Sequence, residues 1–140
     1  QVTGTTSQFR GLPPGSRAVH LPDGRTSDYF LTTFGRASRN TACSCEVSTA
    51  PTLSQALHLL NGESTTGKIS EGKLISDLLN QSNDPADVVR GLYIRAYSRE
   101  PLSEELDAIL QRLKTSKDLQ DSLHDLFWAL LNSNEFIFNH

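Results

Sequence analysis

Cys43 and Cys45, with Glu46 directly after them, form the one compact cluster of reactive side chains in this chain. A pair of thiolates suits two kinds of chemistry, the holding of a soft metal ion or the making and breaking of a bridge. Structural zinc asks for four ligands, with paired cysteines two to four residues apart. Here the spacing is one and there is no second pair, so folding would have to bring up a histidine such as His58 or His20. A Cys43–Cys45 disulfide is within reach, because two residues of extended chain span at most about 7 Å, near the limit for bridged Cα atoms. Such a bridge would be strained and easily reduced. Cysteine also packs as a small hydrophobe, and buried structural cysteines are the alternative reading. Glu46 is placed either to act as a base beside the thiols or to pair with an arginine.

The second group that could do chemistry is a set of arginines. Residues 1–50 carry Arg10, Arg17, Arg25, Arg36 and Arg39 with no lysine and a balance of +2, whereas residues 51–140 carry −5. Arg10, Arg17, Arg36 and Arg39 are candidate contacts for an anionic polysaccharide; pairing with the acidic half of the same chain is the competing use. A net charge of −3 and arginines without interleaved aromatics argue against nucleic acid. The chain has no phosphate-cradling glycine loop, no His-Glu-x-x-His and no Gly-x-Ser-x-Gly. Its carboxylates at 104–105 and 118–125 read as solvated helix faces or dipole partners. The sequence therefore names no catalytic residue and leans away from an enzyme.

The elements that must position these groups fall into two styles. Residues 1–50 read as irregular chain with short extended pieces, such as Arg17-Ala18-Val19-His20-Leu21, between turn clusters at 11–15 and 21–24. Tyr29-Phe30-Leu31-Thr32-Thr33-Phe34 is apolar and suits a strand or a helical turn, and Gly35 ends it. From Pro51 the pattern is helical. Thr52-Leu53-Ser54-Gln55 has capping-box spacing, with Leu53, Ala56, Leu57 and Leu60 as the stripe to be buried and Gly62 as the stop. Ser70 is the expected cap of a second helix bearing Leu74, Ile75, Leu78 and Leu79. Asp84-Pro85 opens a third, lined by Val88, Val89, Leu92, Tyr93, Ala96 and Tyr97. Ser103 is the expected cap of a fourth, and a fifth runs from 116 or 117 to about 131. Ser133 caps a last turn that tucks Phe136 and Phe138 inward. His58 and His124 flank apolar stripes and are expected to be hydrogen-bonded side chains, and Trp128 belongs to the core.

This is a mostly α fold: a bundle or orthogonal array of about five helices over 51–140, preceded by an irregular, arginine-bearing segment over 1–50 that wraps it as part of a single domain. A hydrophobic share of 36% with 21% charged residues is that of a globular chain, and no apolar run approaches the roughly 20 residues that span a bilayer. The first residues carry no signal-peptide pattern, and the missing initiator methionine suggests a processed product or an excised piece.

Several blocks come in a distinctive order: Arg17-Ala18-Val19-His20-Leu21-Pro22-Asp23, Phe34-Gly35-Arg36, Cys43-Ser44-Cys45-Glu46, the run from Pro51 to Gly62, Leu92-Tyr93, Ser98-Arg99-Glu100-Pro101, and the run from Trp128 to Phe136. Together they resemble the C-terminal part of the planctomycete cytochrome-c-associated domain of unknown function. The resemblance implies the end of a larger extracytoplasmic protein, whose upstream regions would carry the haem. No Cys-x-x-Cys-His is present here, so no cofactor is expected in this chain. It implies partners among those upstream domains or other proteins, and it transfers no catalytic residue. One departure is Val47, where the family pattern places arginine.

Overall fold

The computed structural model describes residues 2–9, 11–22, 28–36, 51–61 and 63–138. Among these residues the regular structure is helical, with no strand: α1 (Tyr29–Thr33), α2 (Leu53–Asn61), α3 (Glu63–Glu71), α4 (Leu74–Gln81), α5 (Pro85–Tyr97), α6 (Ser103–Lys114), α7 (Leu119–Leu131) and α8 (Asn134–Ile137). The expected mostly α class is what the chain adopts. The backbone divides into two compact units, Thr5–Ser64 and Gln1–Gly4 together with Thr65–His140.

The larger unit is built on α5. The Asp84 side chain accepts the Ala86 N–H at 2.9 Å and Pro85 occupies the first turn, so two of the orphan donors of the helix start are dealt with locally. Its expected stripe is its buried stripe: Val89 and Leu92 are wholly buried, and Val88, Tyr93, Ala96 and Tyr97 nearly so. Ile75 of α4 and Leu123 and Phe127 of α7 complete the best-buried layer. Each of these side chains contributes roughly 1.5–3 kcal/mol by leaving water. Helices α4 and α5 approach closely because position 91 lacks a side chain; a Cβ there would lie 2.9 Å from a Leu78 methyl carbon. Trp128 packs against this core, as expected, and so does Phe136. Phe138 does not; it is exposed, beyond the end of α8.

Three helix starts differ from the sequence reading. Ser70 lies inside α3, where its hydroxyl donates back to the Thr66 carbonyl at 3.2 Å, and α4 begins only at Leu74. The break falls at Gly72 because the N-terminal segment crosses there. A Cβ on Gly72 would sit 1.8 Å from the Thr3 carbonyl oxygen. The chain then turns through Lys73 in the left-handed region, φ 49°. At α6 the cap position belongs to Leu102, and Glu105 supplies the acceptor by taking the Leu102 N–H at 2.7 Å. At α7 the cap is Asp118, which accepts the Asp121 N–H at 3.1 Å. Ser133 caps α8 as its spacing suggested, through the Phe136 N–H at 3.1 Å.

Arg99 joins the end of α5 to α6 and α8. Its Nε and Nη2 donate to the two Glu135 oxygens at 2.6 and 2.9 Å, and Nη1 and Nη2 donate to the two Glu105 oxygens at 2.9 and 3.1 Å. Nη1 also donates to the Glu100 carbonyl at 3.0 Å, so all five guanidinium donors are used. The guanidinium carbon lies 5.4 and 5.3 Å from the Tyr93 and Tyr97 ring centroids, and those rings meet edge to face. The Tyr97 hydroxyl continues the network to Ser133 Oγ at 2.8 Å. Ser98, at φ 57°, is the second non-glycine residue in the left-handed region; it ends α5 immediately before the arginine. Hydrogen bonds from Arg99 are the chief reason that both Glu105 and Glu135 are held below the ordinary carboxylate value, and burial raises the Tyr93 phenol.

Because the folded carboxylates ionise more readily than unfolded ones, their contribution is complete at neutral pH and disappears as pH falls through and below the carboxylate range. Urea titrations of the wild-type chain and of Arg99→Gln are expected to converge between about pH 5 and pH 2. Equal pH slopes would show the network to be without energetic weight. At neutral pH Arg99→Lys, which keeps the charge but not the fork, is expected to cost about 1–2 kcal/mol. For Gly72→Ala the added methyl must expel the N-terminal segment and uncover Val2, lowering stability by about 1–2 kcal/mol and opening residues 2–4 to rapid amide exchange. Retained protection there would refute the docking.

Candidate functional site

The smaller unit presents a different balance of surface and interior. Among its residues 5–9, 11–22, 28–36 and 51–59 none is fully buried. The extended piece expected over 17–21 is instead a 3-10 turn at Ala18–His20, in which His20 Nδ1 accepts the Arg17 N–H at 3.1 Å. The Tyr29–Thr33 segment takes the helical option. Asp28 accepts the Leu31 N–H at 2.9 Å and fixes where α1 starts. At its far end the chain leaves through Gly35, with Arg36 donating its N–H to the Leu31 carbonyl at 2.8 Å.

Helix α2 starts as its sequence indicates. Thr52 Oγ accepts the Gln55 N–H at 3.2 Å and Gln55 Oε1 accepts the Thr52 N–H at 3.1 Å, the reciprocal capping box. The same Gln55 donates through Nε2 to the Thr33 carbonyl at 2.9 Å, tying α2 to the end of α1. This bond decides which face of α2 is covered. Gln55, His58 and Leu59, one helical face by their spacing, are half-buried. Two leucines of the stripe expected to be inside are not: Leu53 is 76% and Leu57 50% exposed.

His58 is the centre of the contact between the two helices. Its ring lies 5.2 Å from Tyr29, 5.4 Å from Phe30 and 6.0 Å from Phe34, centroid to centroid, and Phe30 and Phe34 are 4.5 Å apart. The histidine is a hub among aromatic rings of α1, with the flanking position that the sequence suggested. Tyr29 is 69% exposed, and Phe30 and Phe34 are exposed at their outer edges. With Leu53 and Leu57 they leave five large apolar side chains of this unit exposed to solvent. Aromatic side chains of this kind are enriched at protein interfaces.

Among the arginine candidates, Arg17 is exposed beside the 3-10 turn and Arg36 is half-buried after α1. Cys43, Cys45, Arg10 and Arg39 lie outside the described residues. Among the described residues no three His, Cys, Asp or Glu side chains are grouped as a metal site, and no helix is long and apolar enough to cross a membrane. Helical spacing assigns Leu53 and Leu57 to the interior, so their exposure is not legible in the sequence. The available signal is the concentration of aromatics at 29–34.

A family described as PSD1, a protein of unknown function (DUF1553), matches residues 5–113. The chain belongs to this family. The matched span runs through the aromatic α1, the capping box of α2, the buried stripe of α5 and Arg99 with its Glu105 partner, so these features lie within the DUF1553 region. Neither a curated protein nor a solved structure matches the chain.

Proposed function

We propose that this DUF1553 chain is a non-catalytic helical interaction module. In this reading it is the C-terminal part of a larger, extracytoplasmic, cytochrome-c-associated planctomycete protein, in which any haem belongs to upstream regions. It docks through the face formed by α1 and α2, against the preceding part of its parent polypeptide or another protein. The observation that carries the reading is the exposure of Leu53, Leu57, Tyr29, Phe30 and Phe34 on a unit in which none of residues 5–9, 11–22, 28–36 and 51–59 is fully buried. A leucine stripe at helical spacing gains free energy only when something covers it. Aromatic rings clustered around His58 present large area with few rotatable bonds, which keeps the entropic cost of ordering an interface low.

The reading is tested by titrating the chain with the separately produced preceding segment of its parent polypeptide. Leu53→Ser combined with Leu57→Ser is expected to weaken association at least about tenfold, the loss of one warm contact at an interface. Because both leucines face solvent in the free chain, its thermal midpoint should barely move, with a stability change within about 0.5 kcal/mol. Unchanged affinity of the double variant removes the reading.

A further inference from the structure

The larger unit ends in a helix that is fastened differently from the others. Helices α3 to α7 each place at least one buried side chain in the core, whereas α8 buries none. Its apolar anchor is Phe136, half-buried against the core cluster, while Ile137 and the following Phe138 are exposed. Four residues do not sustain a helix alone. Whether α8 stays in place therefore depends on the polar contacts made around Phe136.

Those contacts differ in what depends on them. Arg99 divides its fork between two carboxylates. Glu105 accepts from Nη1 and Nη2 and also takes the Leu102 N–H at 2.7 Å, so it serves the start of α6 and remains beside Arg99 wherever α6 is formed. Glu135 accepts from Nε and Nη2 and has no part in the α8 cap, which belongs to Ser133. Its side chain is also the more exposed, 44% against 32%. The remaining tie, from the Tyr97 hydroxyl to Ser133 Oγ, is duplicated, because the Leu130 carbonyl lies 3.4 Å from the same hydroxyl. Without α8, Arg99 still has Glu105, the Glu100 carbonyl and both tyrosine rings. The α5–α6 junction does not need the helix that it holds.

We propose that α8 is a detachable latch: it leaves the core more often as ionic strength rises, while α5, α6 and their junction stay formed. Salt screens an exposed ion pair but leaves the apolar packing of α5 against α7 in place. Opening releases Phe136 from the core and turns the Nε–Nη2 edge of Arg99 to water. The closed form thus conceals an aromatic ring and a carboxylate-shaped fork that the open form offers together. The latch belongs to the larger unit, so it stands or falls independently of docking through α1 and α2.

Hydrogen exchange of the full chain, followed by NMR at neutral pH, tests this on amides that are bonded in each element. The reporters are Phe136, Ile137 and Phe138 for α8, Leu106 for the start of α6, and Leu92 in the middle of α5. Going from about 20 mM to about 500 mM sodium chloride shortens the screening length from roughly 20 Å to roughly 4 Å. The α8 amides are expected to exchange about threefold faster relative to Leu92, with Leu106 unchanged. Glu135→Gln, a change at an exposed side chain, should speed the same three amides about threefold at low salt and abolish their response to salt. Glu105→Gln should instead accelerate Leu106. Protection of α8 equal to that of α5 would overturn the proposal. So would α8 amides indifferent to both salt and Glu135→Gln, or a loss of protection at Leu106 in step with theirs.

Discussion

The larger unit depends on the saturation of one guanidinium. Arg99 lies where α5 has just ended and α6 has not begun, a place where backbone groups lack helical partners. By placing all five donors on Glu105, Glu135 and the Glu100 carbonyl, it closes that junction and brings the four-residue α8 back onto the bundle. A helix that short has no stability of its own. The tyrosine rings beneath the guanidinium come from the same stripe that builds the core, so core packing and the polar clamp share Tyr93 and Tyr97. A lysine could offer the charge but neither the two-fork geometry nor the flat face.

The two units use apolar surface in opposite ways. In the larger one the leucine, valine and aromatic positions of α4, α5 and α7 cover one another. In the smaller one a histidine occupies the centre of an aromatic cluster, while Leu53 and Leu57 of α2 are exposed. Gln55 explains the difference. Once it serves both the capping box and the Thr33 carbonyl, the rotation of α2 about its axis is set, and Leu53 and Leu57 lie outside the α1 contact.

Among the described residues, both non-glycine residues with left-handed backbone stand at helix ends. Ser98 ends α5 directly before Arg99, while Lys73 directly precedes α4. Strain of this kind persists only where surrounding structure over-determines it. At Ser98 the compensation is visible as the Arg99 network. At Lys73 the neighbouring constraint is Gly72, pressed against the Thr3 carbonyl, which leaves the chain no room to continue α3.

By itself the sequence determined the helical class, the buried stripe of α5 and the starts of α2, α5 and α8. These are local matters: periodicity fixes a stripe, and a Thr-x-x-Gln box, an Asp-Pro pair or a serine cap satisfies backbone donors within four residues. Ser70 and Ser103 misled because a hydroxyl before an apolar run is a cap only if the backbone leaves the helix there. The exits were governed by the crossing of Thr3 over Gly72 and by Glu105 reaching back to Leu102. Tertiary structure alone decided that Arg99 would meet Glu135, thirty-six positions away, and that Leu53 and Leu57 would be left outside. Spacing along a chain states which side chains share a face. It carries no information about what that face meets, because this is set by contacts between segments far apart in sequence.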